Sequence, residues 1–315
     1  MDELPAWAAS NTQCEGEQEE FWLLGQPPLY QYLDYVRDNV IDGQNCPRSV
    51  LVDEWRTAND HYYELETSEA GIADRITVLD VPRSLAPLVD EVRANAIFRR
   101  AYDMLPTRFA MVELEKLIVA QPHINLTHAR RLRARLPTRP SPEEIFRFCH
   151  PIDRPGPQIN VMSIGEKRYS LTSESTDLRF REAVVLRPDQ IAGGERFGST
   201  GVVIGLVVGF SSNFLTAIES EKRLLLHNGH HRAYALLEHG VTHAPCIIQT
   251  VTRTDELNLI AGSAVQEMPA FYFRAARPPL LKDFLDPKIR KAHRIPRPLQ
   301  MIDVSFEVRD HQVAN

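Results

Sequence analysis

The side chains best suited to chemistry are concentrated in Leu224–Arg232, which reads LLLHNGHHR. Asn228-Gly229 is a pair that tolerates positive φ and makes a tight turn. An apolar strand precedes it and a helix follows, so the first N–H groups of that helix face outward at its positive end. Such a strand–glycine–helix junction is an anion site, and phosphate is the anion it suits best. Arg232 adds a fork that matches phosphate oxygens, and His230 and His231 are short donors beside it. Asn228, Gly229, His230, His231 and Arg232 are therefore the candidate phosphate-binding residues. The same polar residues would also serve as ordinary helix caps. A metal site is not indicated. Adjacent histidines diverge on a helix, no third ligand is identifiable, and Cys14, Cys46, Cys149 and Cys246 form no CxxC pair.

Phosphate chemistry also needs an acid or base. Glu174 and Asp177, in the polar run Ser173–Asp177, are the first candidates, with His231 as a third catalytic candidate. Asp189 and Glu195 are rivals for the carboxylate role, and any of these doubles as solvated loop charge. Gly193-Gly194-Glu195-Arg196 reads as a flexible phosphate lid or a surface loop, and Ser211-Ser212-Asn213 as a turn facing a ligand or simply ending a strand.

Several elements must position these residues. Arg223–His227 reads as a strand, Arg232–His239 as a helix closed by Gly240, and Ala244–Val251 as the returning strand. Upstream, Arg168–Leu171, Ala183–Leu186 and Phe214–Glu219 are further strand candidates. Gly201–Gly209 (GVVIGLVVG) has the composition of a strand buried on both faces. The first half has helical texture: Leu29, Tyr32, Leu33 and Val36 recur at helical spacing, as do Leu85, Leu88, Val89 and Val92 behind Ser84. Helices are also predicted over Ala110–Val119 and Asn125–Leu136, with Thr127 as a cap for the latter. Ser141 and Glu144 match a capping box before Pro142–Phe148. Proline-rich stretches at Leu136–Pro142 and Pro151–Pro157 place a domain boundary between about 137 and 158. The tail holds a helix near Glu256–Glu267 and a last strand at Met301–Val308.

The stretch LLLHNGHHRAYALLEHGVTHAPCII resembles the signature of the ParB/sulfiredoxin superfamily. The box is Gly229-His230-His231-Arg232, the helix after it Ala233–His239, and Gly240 and Pro245 lead into the next strand. The likeness covers roughly residues 160–251 and is sharpest over 228–246. It implies a nucleotide-phosphate site at the box, with ATP or another NTP and Mg2+ as cofactors. Members of that superfamily include CTP-binding partition clamps, ATP-using sulfiredoxins, free-serine kinases and nucleases. Departures narrow the choice. Sulfiredoxins have a reactive cysteine where this chain has His230, and the serine kinases have an acidic residue where it has Asn228. Partition proteins continue into a helix-turn-helix, whereas the segment after Val251 is short and proline-rich.

Composition bounds the rest. The chain has 315 residues, 43% hydrophobic and 25% charged, with net charge −6 from 36 Lys+Arg against 42 Asp+Glu. That balance disfavours a surface devoted to nucleic acid. Arg130, Arg131, Arg133, Arg135 and Arg139 are the exception, reading as an RNA, DNA or partner contact or as an exposed helix paired with acidic residues. No basic-then-apolar leader or membrane-length apolar run is visible, and the expected setting is a soluble, cytoplasmic one. The sequence thus predicts an α+β protein: an acidic flexible N-terminus (1–20), a mostly α-helical domain (21–150), a small mixed-sheet ParB/sulfiredoxin-like nucleotide-binding domain (158–255) and a C-terminal extension (256–315). The expected function is a nucleotide-binding phosphotransferase or NTPase. A non-catalytic nucleotide-responsive protein, its helical domain docking a partner, and a ParB-like DNA-binding protein or nuclease are the alternatives.

Overall fold

A computed structural model describes residues 17–26, 28–152, 156–175, 177–187, 190–191 and 202–310. Elements follow in chain order: β1 (Gln18–Leu23), α1 (Leu29–Asn39), α2 (Arg48–Ser68), β2 (Val78–Leu79), α3 (Ala86–Ala94), α4 (Ala96–Ala101), β3 (Thr107–Glu113), β4 (Ile118–Val119), β5 (His123–Asn125), α5 (Leu126–Arg133) and α6 (Pro142–Cys149). Next come β6 (Asn160–Gly165), β7 (Arg168–Ser173), β8 (Arg179–Leu186), β9 (Val203–Gly209), β10 (Thr216–Ser220), β11 (Arg223–Asn228), α7 (His230–Glu238) and β12 (His243–Thr250). Three short helices, α8 (Leu257–Ile260), α9 (Ser263–Glu267) and α10 (Pro269–Phe273), precede β13 (Arg290–Ile295) and β14 (Gln300–Ser305). The protein is α+β, and none of its described helices is long and apolar enough to cross a membrane.

The chain divides into two units, and the division is discontinuous. Residues 1–152 and 212–296 form the first, and residues 153–211 and 297–315 the second. The first unit is built on a six-stranded sheet in the order β2-β3-β12-β10-β11-β4. β10 and β11 pair antiparallel as a hairpin, β12 runs parallel to β10, and β3 runs antiparallel to β12. A second sheet, β13-β1-β5, belongs to the same unit. Leu224, Leu225 and Leu226 of β11 are all buried, so both faces of that strand are covered. Leu224 and Leu226 join Ala233, Leu236 and Leu237 of α7 and Ala129 and Leu132 of α5 in one apolar cluster. Each such leucine contributes about 1.5–3 kcal/mol by leaving water.

Local signals at several element ends are realised. The Ser141 hydroxyl accepts the Glu144 N–H at 3.2 Å while the Glu144 carboxylate accepts the Ser141 N–H at 2.8 Å, a complete capping box on α6. Gly240, with φ +87°, follows α7 in the left-handed conformation. α5 is capped by the Asn125 side chain, not by Thr127, and Ser84 makes no cap on α3.

Other expectations are corrected. Ala110–Val119 is not a helix: residues 107–113 are strand β3, in register with β12 from Thr107↔Gln249 to Glu113↔His243. Ala110 and Val112 are buried and their neighbours half-buried, a period of two that pairing with a distant strand selects over helical packing. The helical half and the sheet half are therefore not successive domains, because β2, β3 and β4 complete the sheet of β10–β12. Residues 18–20, expected to be flexible, are strand β1, whereas residues 1–16 lie outside the described ones. The predicted helix over 256–267 is broken into short turns, with Gly262 between α8 and α9.

The second unit holds the sheet β14-β7-β6 and the two-stranded sheet β8-β9. Gly201–Gly209 is largely the strand β9, but it is not buried: Ile204 is 65% and Leu206 43% exposed. Its partner in the sheet is β8, so no central-strand burial arises.

Candidate functional site

The Asn228–Arg232 turn joins β11 to α7 as the sequence implied. Gly229 has φ +87°, and a Cβ there would lie 2.9 Å from Leu215 Cδ1 and 3.1 Å from Leu215 Cα. Conformation and space both demand glycine. The Asn228 side chain clamps the turn from both ends: Oδ1 accepts the Gly229 N–H at 2.7 Å, and Nδ2 donates to the Ser212 carbonyl. The first helical bond of α7 runs from the Ala233 N–H to the Gly229 carbonyl at 2.9 Å. The N–H groups of His230, His231 and Arg232 precede it, and the helix itself supplies no acceptor for them.

Arg232 is turned inward. It is 5% exposed, donates Nη1 to the Asn213 carbonyl and, at 2.7 Å, to Asn213 Oδ1, and lies 6.0 Å from the centre of the Phe148 ring. Its fork is thus spent on the 212–214 segment, and its charge acts as a buried one. Ser212 and Asn213, singled out in the sequence, are the residues that anchor the turn.

The histidines beside the helix start are uncharged at neutral pH. Burial, reinforced by His227 and His123 nearby, pushes His230 down to about 3, and its Nε2 is enclosed without a hydrogen-bond partner. Burial, with His128, His230, His123 and Arg232 around it, holds His231 well below the usual range. His231 Nε2 accepts the Asn125 N–H at 3.1 Å, which places its proton on Nδ1, and its ring meets His128 edge to face at 5.1 Å. The site therefore offers an anion backbone amides and neutral imidazoles, with one buried guanidinium behind them.

Three residues missed in the sequence stand next to the box. Glu20 on β1, 6% exposed, accepts a hydrogen bond from the Tyr35 hydroxyl at 2.7 Å and lies 3.2 Å from His123 Nδ1. Burial pushes the Glu20 carboxyl up, but His123, Tyr35 and His293 together hold it below the usual carboxylate range. His123 and Asn125 sit two residues apart on β5, which pairs with β1 through Glu20↔Asn125. The sequence signal was weak: a glutamate at the start of the apolar run Phe21–Leu24, and a histidine between Pro122 and Ile124.

The carboxylates expected to act as base belong to the second unit and have partners within it. Glu174 pairs with Arg297, and Asp177 accepts the Ser211 N–H at 2.7 Å and pairs with Arg179. Asp189, Gly193, Gly194 and Glu195 lie outside the described residues. On α5, Leu126, Ala129 and Leu132 are buried, Arg130 pairs with Glu19, and Arg133 lies 2.9 Å from Glu238. A concavity of about 200 Å³ lined by Val81, Ala86, Val89, Arg93 and Phe109 contains no residue of the box. Among the described residues no group of three or more His, Cys, Asp or Glu side chains is arranged to hold a metal ion, so Mg2+ has no ready protein cage there.

No protein-family model matches the chain, and no curated protein or solved structure matches it.

Proposed function

We propose that this protein binds a nucleoside triphosphate through its phosphates at the start of α7 and hydrolyses or transfers the terminal phosphoryl group. The observation that carries this reading is the junction at Gly229: a covered strand, a glycine at φ +87°, and a helix whose first-turn amides have no helical acceptor. The resemblance of Gly229-His230-His231-Arg232 to the ParB/sulfiredoxin box supports it. Arg232 supports it as a buried positive charge behind the amides, where low dielectric strengthens its attraction for an anion. A DNA-binding reading draws less support, since Arg130 and Arg133 are engaged by Glu19 and Glu238.

His227, exposed at the end of β11 and close enough to His230 to affect its charge, is the position for the test. In His227→Glu a carboxylate stands at the rim while the buried residues are untouched. Affinity for ATP, CTP or GTP, measured by calorimetry, should fall at least about tenfold, equivalent to about 1.4 kcal/mol. An unchanged affinity refutes phosphate binding at this turn. Release of inorganic phosphate then separates an enzyme from a non-catalytic nucleotide switch.

A further inference from the structure

His123 is held more firmly than a surface strand residue needs to be. Its Nδ1 is enclosed 3.2 Å from the buried Glu20 carboxylate, within ion-pair range though short of hydrogen-bond alignment. One face of its ring lies parallel to Trp22, with centroids 5.7 Å apart and planes at 8°. Trp22 is in turn stacked on Tyr35 at 4.0 Å, and the Tyr35 hydroxyl donates to the same Glu20 carboxylate. Carboxylate, imidazole, indole and phenol form a closed set. The His123 side chain is nevertheless 38% exposed. With Nδ1 enclosed, the accessible edge is the one carrying Nε2.

That edge belongs to the rim of the box. His123 is near enough to His230 and His231 to depress both, and Asn125, two residues along the same strand, donates its N–H to His231. Neither His230 nor His231 is suited to proton transfer near neutral pH, because burial keeps both neutral far below it. Glu20 is the one buried carboxylate beside the box, and its charge is directed at an imidazole.

We propose that His123 is the general base of the phosphate site and Glu20 its positioning residue, an inference that rests on the nucleotide reading above. In the step, a water oxygen bonds to the terminal phosphorus as the bond from that phosphorus to the bridging oxygen breaks. The electron pair goes to the departing nucleoside diphosphate, and the water proton goes to His123 Nε2 and then to solvent. The products are a nucleoside diphosphate and inorganic phosphate. Glu20 fixes the proton of neutral His123 on Nδ1 and offsets the positive charge that appears on the ring.

The experiment uses the full chain with ATP as the probe, measuring binding by calorimetry and single-turnover phosphate release from pH 5.5 to 9. His123→Ala should leave affinity within about threefold and slow release by 100-fold or more, the usual contribution of a general base. Added imidazole should restore part of that rate, which a purely structural loss would not allow. Glu20→Gln should slow release at least tenfold and move the acid limb of the rate profile to lower pH by about one unit. The groups facing His123 are Glu20 from β1 and His230 and His231 from α7, with His293 of β13 facing Glu20. Of these, Glu20 alone carries a negative charge, so its loss sets the direction. ATP binding with release unaffected by His123→Ala, or with no release at all, overturns this proposal and leaves the binding reading standing. Absence of any nucleotide binding in the wild type overturns the binding reading first. Should His123→Ala not fold, the displaced acid limb in Glu20→Gln decides alone.

Discussion

Acidification from pH 6.5 to 5.0 should destabilise this protein through its buried histidines, and His150 allows the effect to be assigned. His150 is 1% exposed among Phe109, Phe146 and Phe214, with ring centroids at 5.5, 4.9 and 6.0 Å. Neither ring nitrogen makes a well-formed hydrogen bond, although the Pro245 carbonyl lies alongside. Burial, with the Arg232 charge nearby, pushes it down to about 3 from an ordinary 6.5. In the unfolded chain it takes up a proton near 6.5, while in the folded chain it stays neutral. The unfolded state therefore binds more protons throughout this window, and stability falls as pH falls. The slope is about 1.4 kcal/mol per pH unit for each such residue, so His150 costs about 2 kcal/mol between pH 6.5 and 5.0. His293, 7% exposed and pushed down by burial to about 4, adds a similar amount. Carboxylates held low in the folded state, such as Glu20, Glu69 and Asp74, lose their contribution below about pH 4.5 and leave this window clear. Urea denaturation at intervals across pH 5.0–6.5 gives the slope directly. His150→Phe, which suits the aromatic surroundings, should flatten it by about 1.4 kcal/mol per unit whatever its effect on absolute stability. An identical slope in wild type and variant would refute the claim that His150 is neutral and buried.

Two further outcomes follow from packing. Gly229→Ala combines an unfavourable φ with a Cβ 2.9 Å from Leu215 and should cost about 2 kcal/mol or more in urea midpoint terms; a loss under about 0.5 kcal/mol would contradict the geometry. Asp283 accepts from Arg277 Nη2 at 2.6 Å, from the Tyr62 hydroxyl at 2.6 Å and from the Leu280 N–H at 2.8 Å, with Arg277 and Asp283 each 1% exposed. Asp283→Asn leaves the Arg277 charge buried with Glu69 as its remaining carboxylate, and thermal or urea unfolding should show a loss of about 3 kcal/mol. A near-neutral result would mean that water or rearrangement reaches Arg277.

What this sequence determined by itself is local. The Asn228-Gly229 turn, the start of α7, the left-handed Gly240 and the Ser141–Glu144 capping box are set by residues within a few positions of one another. Their conformational preferences act before any distant contact forms. Sheet membership is different, because a strand is stabilised by whichever chain lies beside it. Residues 107–113 carry an apolar pattern readable as helix or strand, and pairing with β12, more than a hundred residues away, decides for strand. The same nonlocal pairing merges the expected helical and sheet domains into one unit, and in the other unit it leaves β9 exposed beside β8. Charge followed the same rule. Glu20 in an acidic run reads as solvated, yet β5 and β13 on either side of β1 bury it against His123 and Tyr35. The turn that would hold phosphate is thus written in the sequence, while the carboxylate–imidazole pair beside it exists because three strands from opposite ends of the chain meet in one sheet.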